Sequence, residues 1–190
     1  EAYTYSLQPA DPDPSALELP VPLSSQQKTL RTTLRTGLEA AAQHNRDMGN
    51  HGVSLFEIAH VYLPVEGTKV PNERWHLGGV VDGEFFKAKG IVEAVFEALH
   101  VEPVFERTHI PGAAIAASVQ SGWVADNVFE LDLDELFTLV PERLLYRDVI
   151  TYPPVRQDLA VVVGEEVEAA ALVDVALEAG APELREARVF

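Results

Sequence analysis

Proline divides this chain before any other residue does. Asp11-Pro12-Asp13-Pro14 and Pro20-Val21-Pro22 fall early, Pro64, Pro103 and Pro141 follow, and Tyr152-Pro153-Pro154 comes near the end. Each proline fixes φ and lacks a backbone donor, so none of these sites belongs inside a helix or a central strand. The stretches between them hold modest helices and short strands, and the expected class is α+β with a largely antiparallel sheet.

Within those limits the hydrophobic pattern places the elements. Ala2 to Leu7 reads as a strand. Ser24 or Ser25 offers a cap for a first helix, in which Leu30, Leu34, Leu38 and Ala42 recur every four residues to about Arg46. Gly49 to Gly52 is a turn. Val53 to Leu63 is β-branched and aromatic, and Trp75 to Val81 reads as its antiparallel partner across a polar loop, Val65 to Asn72. Ile91, Val92, Val95, Phe96 and Leu99 share one face of a helix over Lys87 to His100. Val104 to Arg107, Ala113 to Val119 and Val128 to Leu131 are short strand candidates, and Asp132 to Val140 is a brief helix with acidic residues in its first turn. After the Pro153-Pro154 pair, Leu159 to Val163, Glu165 to Ala179 and Leu184 to Phe190 read as β, α and β. A domain boundary is expected near residues 148 to 154, separating units 1–148 and 152–190. The chain opens at Glu1 and closes at Phe190 inside apparent strands, and so reads as a piece of a longer polypeptide.

Composition narrows the function. At 190 residues and 47% apolar content the chain can bury one good core, or one core and a small second unit. No apolar run approaches the ~20 residues that span a bilayer, and no signal peptide opens the chain, so no membrane role is expected. Without cysteine, disulfides, thiolate zinc sites and thiol nucleophiles are excluded, and a cytoplasmic setting is expected. A net charge of -16 repels phosphate backbones over a Debye length of about 8 Å, which makes the chain alone a poor nucleic-acid binder.

Candidate chemistry is sparse. Six histidines, His44, His51, His60, His76, His100 and His109, include no pair at i+3 or i+4 and read as surface or hydrogen-bonded residues. His109 with Glu57 and Ser54 or Ser118 would be needed for a hydrolytic group, but no Gly-x-Ser-x-Gly turn presents a nucleophile. Lys28, Arg31 and Arg35 would form a basic stripe on the first helix, which the acidic balance marks as a solvated face. Glu130, Asp132, Asp134 and Glu135 lack the glycine of a calcium loop and are explained by a charged helix start. Trp75, Trp123, Phe85 and Phe86 could line a ligand pocket, but aromatics beside strands belong more often to the core.

Several segments, in order, resemble the β subunits of the bacterial heterotetrameric phenylalanyl-tRNA synthetases. Glu1-Ala2-Tyr3-Thr4-Tyr5-Ser6-Leu7 is similar to the family strand E-V-V-T-Y-S. Pro22-Leu23-Ser24-Ser25, with Leu30-Arg31-Thr32-Thr33-Leu34-Arg35-Thr36-Gly37-Leu38 after it, resembles N-P-L-S-x-E and L-R-T-S-L-L-P-G-L-L. Asn45 and Leu55-Phe56-Glu57-Ile58-Ala59-His60-Val61-Tyr62 match the family asparagine and L-F-E-I-G-x-V-F. Phe85-Phe86-Lys87-Ala88-Lys89-Gly90-Ile91-Val92-Glu93 matches F-F-D-L-K-G-x-V-E. Tyr152 to Val163 resembles the opening of that subunit's ferredoxin-like anticodon-binding domain. Between residues 101 and 150 the match departs: H-P-G-R-S-A appears as His109-Ile110-Pro111-Gly112-Ala113-Ala114 without its arginine, and G-x-L-H-P is missing around Gly122.

The resemblance implies a class II aminoacyl-tRNA synthetase-like antiparallel sheet flanked by helices, followed by a partial ferredoxin-like β-α-β unit. Adenylate formation needs cations around the triphosphate, which class II enzymes take from a Gly-x-Gly-x-Gly-x-x-Arg motif and from an arginine two residues before a glutamate. Here Leu55 precedes Glu57, and neither that motif nor a phosphate-cradling glycine loop occurs. The expectation is therefore a non-catalytic assembly module with no catalytic, cofactor-binding or metal residues of its own. By resemblance its partner is the catalytic α subunit in an (αβ)₂ assembly, with ATP, Mg and tRNA(Phe) used by the whole complex. The alternative is a free-standing synthetase-like paralogue that binds a small molecule or regulates.

Overall fold

The computed structural model describes residues 1–22, 24–143, 153–164 and 166–190. They divide into two units, Glu1–Leu144 and Leu145–Phe190. Most of the boundary segment expected at residues 148 to 154 lies outside the described residues.

The first unit holds β1 (Leu7–Gln8), β2 (Thr29–Leu30), α1 (Arg35–Asp47), β3 (Leu55–Leu63), β4 (Asn72–Val80), α2 (Phe85–Ala98), β5 (Glu106–Arg107), β6 (Ala116–Val119), β7 (Gly122–Ala125), β8 (Val128–Asp132) and α3 (Leu133–Leu139). The six strands from β3 onward form one antiparallel sheet in the order β3-β4-β8-β7-β6-β5. β3 and β4 are the expected hairpin, paired from Leu55 opposite Val80 to Leu63 opposite Asn72. β7 went unread in the sequence because it is four residues long and squeezed between two tight turns. Those turns use left-handed residues other than glycine, Ser121 at φ 64° and Asp126 at φ 48°.

Alternation along each strand sends side chains to opposite faces. Val61, Val80 and Val128 pack under Leu34, which precedes α1, and under Leu38 and Ala42 of α1. Val81, Val124, Phe129 and Leu131 pack on the other face against α2 and α3. Gly78 lies where α1 comes closest to β4, since a Cβ there would sit 2.9 Å from both Leu34 Cβ and Leu38 Cδ1. On α2 the buried stripe is Phe85, Ala88, Val92 and Phe96, and Ile91, expected inside, is on the rim. The Phe85 ring enters the core at the first turn and sets that phase. Asp132 caps α3 by accepting from the Glu135 N–H at 3.0 Å.

Two N-terminal expectations are corrected. The strand Ala2 to Leu7 shrinks to Leu7–Gln8, with Ala2 instead donating to Phe56 O at 2.7 Å along the edge of β3. The first helix starts at Arg35, about a turn and a half after its apparent period would allow at Leu30. The backbone N–H groups of Lys28, Leu30 and Arg31 donate to Gln8 O, Leu17 O and Ser6 O, and that of Thr32 to the Asp11 carboxylate. These tertiary bonds hold residues 28–32 extended and override the four-residue spacing. Ser24 caps no helix, and its hydroxyl accepts from Gln26 N–H.

The second unit contains α4 (Ala169–Gly180), which overlaps the expected helix Glu165 to Ala179 and runs one residue past it, with no buried residue. Leu159 to Val163 and Leu184 to Phe190, expected as strands, pair with nothing among the described residues. A strand is stabilised by a neighbouring ladder and a face to bury, and Leu159 and Val162 are exposed instead.

The close approach at β4 makes a two-sided prediction. Gly78→Ala is expected to destabilise the protein by about 1–3 kcal/mol in urea unfolding, because its Cβ meets two core leucines. Gly90→Ala, in the middle of α2 with nothing within 4 Å of its Cβ, is expected to stabilise by roughly 0.5–1 kcal/mol.

Candidate functional site

Two acidic side chains on the α1 face of the sheet are withdrawn from water, Glu57 on β3 and Glu130 on β8, at 2% and 3% exposure. A buried carboxylate is tolerated only when paired and hydrogen-bonded, and each of these has a full set of donors.

Glu57 faces Arg31, whose side chain is 4% exposed and whose Nη1 lies 3.0 Å from Oε1. Thr4 adds its N–H at 3.2 Å to Oε1 and its hydroxyl at 2.7 Å to Oε2. The guanidinium also reaches His60 O from Nε at 2.9 Å, and Thr4 Oγ1 and O from Nη1 at 2.8 and 3.3 Å. Gly37 makes room for this crossing, because a Cβ there would lie 2.6 Å from Thr4 Oγ1.

Glu130 takes the Leu34 N–H at 3.1 Å and His76 Nδ1 at 2.7 Å on Oε1, and the Thr33 hydroxyl on Oε2. Thr33 Oγ1 in turn accepts from Arg35 N–H at 3.1 Å, so threonine and glutamate together cap α1. Beyond them Arg74 pairs with Asp132 at 2.8 Å and approaches Asp134 at 3.5 Å, while Trp75 N–H donates to Asp134 at 2.8 Å. Arg74, Asp132, Asp134, Glu135 and Thr138 border an open recess of about 560 Å³.

The structure scatters most of the residues the sequence brought forward. Ser118 lies on β6, four strand spacings from Glu57 on β3, which is roughly 19 Å at standard spacing. Ser54 accepts from Asp82 N–H, and His109 is exposed, so no hydrolytic group assembles. Lys28, Arg31 and Arg35 do not share a helix face: Lys28 pairs with Glu18, Arg31 is buried, and Arg35 opens α1, pairs with Glu39 and lies 5.7 Å from the Trp123 ring centroid. Among the described residues no group of three metal-type side chains converges. His76 is hydrogen-bonded in the cluster, His60 stacks at 4.0 Å on Trp75, and the other four histidines are exposed. Phe85 is core, Phe86 is exposed beside it, and Trp75 and Trp123 lie on different strands, so the four aromatics line no common pocket.

Arg31 with Glu57, and Thr33 and His76 with Glu130, form two buried clusters that the sequence did not announce. The available signal was one acidic residue inside each of two largely apolar strand runs, Leu55–Leu63 and Val128–Leu131. Arg31→Met leaves Glu57 buried without its countercharge and is expected to cost about 3–5 kcal/mol in chemical denaturation. The double variant Arg31→Met with Glu57→Met is expected to regain most of that loss, since no buried charge is then left alone.

Comparison with known proteins completes the picture. The family model described as the phenylalanyl tRNA synthetase beta chain CLM domain matches residues 1–120. Similar curated proteins include the phenylalanine–tRNA ligase beta subunit of Bacillus thuringiensis subsp. konkukian (strain 97-27), 29% identical across all of this chain and 29% of its own length. The corresponding subunit of Symbiobacterium thermophilum is 30% identical over 95% of this chain and 24% of its own, and that of Geobacillus kaustophilus 28% identical over 100% and 28%. The chain thus spans less than a third of these relatives. The resemblance read from the motifs is borne out, and with well over half of its length inside the family model the chain belongs to the phenylalanyl tRNA synthetase beta chain CLM domain family.

Proposed function

We propose that the chain is an architectural module of a phenylalanine–tRNA ligase beta subunit, a class II synthetase-like sheet that holds an assembly together while adenylate chemistry takes place on a partner alpha subunit. In this reading ATP, magnesium and tRNA(Phe) are handled by the whole (αβ)₂ complex, in the cytoplasm.

The observation that carries the proposal is the fate of the Leu55 and Glu57 positions. A class II active site would need a cation at 55 and a glutamate facing ligand at 57. Leu55 packs beneath α1 instead, and Glu57 is consumed by Arg31 and Thr4. A buried arginine paired with Glu57 is turned into the protein and is not presented to a triphosphate. A second feature supports the assembly role. On the opposite face of β3 and β4, Phe56, Ile58 and Trp75 remain more than 40% exposed, as befits a piece that packs against further protein.

Calorimetric titration of the chain with Mg-ATP tests the proposal, and no saturable heat is expected. ATP–pyrophosphate exchange in the presence of phenylalanine is expected at background. Saturable binding or measurable exchange would overturn the reading and make the chain a nucleotide-using enzyme.

A further inference from the structure

His76 is the one ring among the described residues whose two nitrogens both meet carboxylates. It lies on β4 with its side chain 13% exposed. Nδ1 is 2.7 Å from Glu130 Oε1, and Nε2, buried and without a hydrogen-bond partner, is 3.8 Å from Asp132 Oδ2. An ionised carboxylate only accepts, so Nδ1 carries a proton, and the neutral ring turns a bare lone pair at Nε2 toward Asp132. The doubly protonated ring turns an N–H and a positive charge toward it instead.

The charges that face the ring favour that second state. β8 supplies Glu130 and Asp132. β4 supplies Arg74, whose Nη2 lies 2.8 Å from Asp132 Oδ2, and α3 supplies Asp134, 3.5 Å from Arg74 Nε. Three carboxylates thus share one guanidinium. On β3 the residue opposite His76 is the uncharged Ala59, and Glu57, two positions along, is paired with Arg31. Thr33 stands before α1, and Arg35 in its first turn pairs with Glu39.

Each carboxylate that meets the ring also caps a helix. Glu130 holds the Leu34 N–H and the Thr33 hydroxyl at the start of α1, and Asp132 holds the Glu135 N–H at the start of α3. We infer that His76 is a proton-operated latch between these two helix starts, closed when the ring carries both protons and loosened on the α3 side when the Nε2 proton is lost to water. Glu130 keeps its Nδ1 donor in both states, so the release is confined to Asp132 and α3. The folded cluster favours the charged ring over the neutral one more than the unfolded chain does. The latch therefore adds stability at the acid end of the histidine range and loses it as pH rises. The inference stands on this geometry and does not require the assembly role proposed above.

Thermal unfolding of the full 190-residue chain between about pH 6 and about pH 9 tests it. His76→Asn keeps an amide donor for Glu130 and cannot take up a proton. Across that range the wild-type midpoint is expected to fall by about 3 °C or more relative to that of His76→Asn. Asp132→Asn keeps a carbonyl for the α3 cap and offers an amide donor to the neutral ring, and it is expected to abolish the excess fall. Hydrogen exchange on the wild type adds a local readout: protection of the Glu135 amide is expected to drop as pH rises, while protection of the Leu34 amide holds. Should a variant fail to fold, nitrogen NMR of the wild-type ring decides the matter. Both His76 nitrogens are expected to be protonated at about pH 7, and only Nε2 is expected to lose its proton as pH rises further. A wild-type fall that matches His76→Asn, an excess that survives in Asp132→Asn, equal loss of protection at the two amides, or a ring with one proton at about pH 7 overturns the inference.

Discussion

Arg31 is the residue on which the rest of the first unit depends. It stands between β2 and α1, buried, with Glu57 as its countercharge. Its backbone N–H donates to Ser6 O at 3.0 Å, its carbonyl accepts from Tyr62 N–H at 2.9 Å, and its side chain holds His60 O, Thr4 and Glu57. One residue thus ties the N-terminal segment, the start of the first helix and the outer edge of the sheet. The charge pair need not be a large net source of stability, because desolvation offsets much of the attraction. A one-residue slip of β3 would turn Glu57 to the other face of the sheet and take it away from Arg31.

That arrangement also settles how β3 ends the sheet. An edge strand presents unpaired N–H and C=O groups that invite another chain. Here Ala2 covers Phe56 O, the Arg31 guanidinium covers His60 O, and the Arg31 carbonyl covers Tyr62 N–H. The polar cluster around Glu130 then fastens the amino end of α1 to β8 from within. Charges that an enzyme of this general plan would turn toward a ligand are turned inward and spent on each other. Structure and proposed role meet at that point: a sheet whose buried carboxylates are tied to its own side chains suits a scaffold.

Much of this fold was legible in the sequence, and the misses share a cause. The β3–β4 hairpin, α2, α3 and the alternation of the sheet follow from local pattern, which is how periodicity encodes burial. Residues 28–34 look helical because Leu30, Leu34, Leu38 and Ala42 keep a four-residue spacing, but only the last three bury together under α1. The backbone bonds that hold Lys28 to Thr32 extended come from residues 6 to 17, and no local window sees them. The same blindness made Arg31 resemble one member of a solvated stripe and Glu130 an ordinary acidic residue before a helix. Family motifs identified the chain, because they encode that three-dimensional context without explaining it. In the second unit local propensity favoured strands that the described residues leave without partners.

The most direct measurement of the central claim is amide hydrogen exchange at the β3 edge, read at Tyr62, Arg31 and Ala2. If Arg31 locks that edge, the Tyr62 and Arg31 amides exchange only through global unfolding, as slowly as those of the central strands β4 and β8. Exchange of Tyr62 and Arg31 at the rate of an open edge, while β4 and β8 stay protected, would contradict the account and leave the buried pair a local detail.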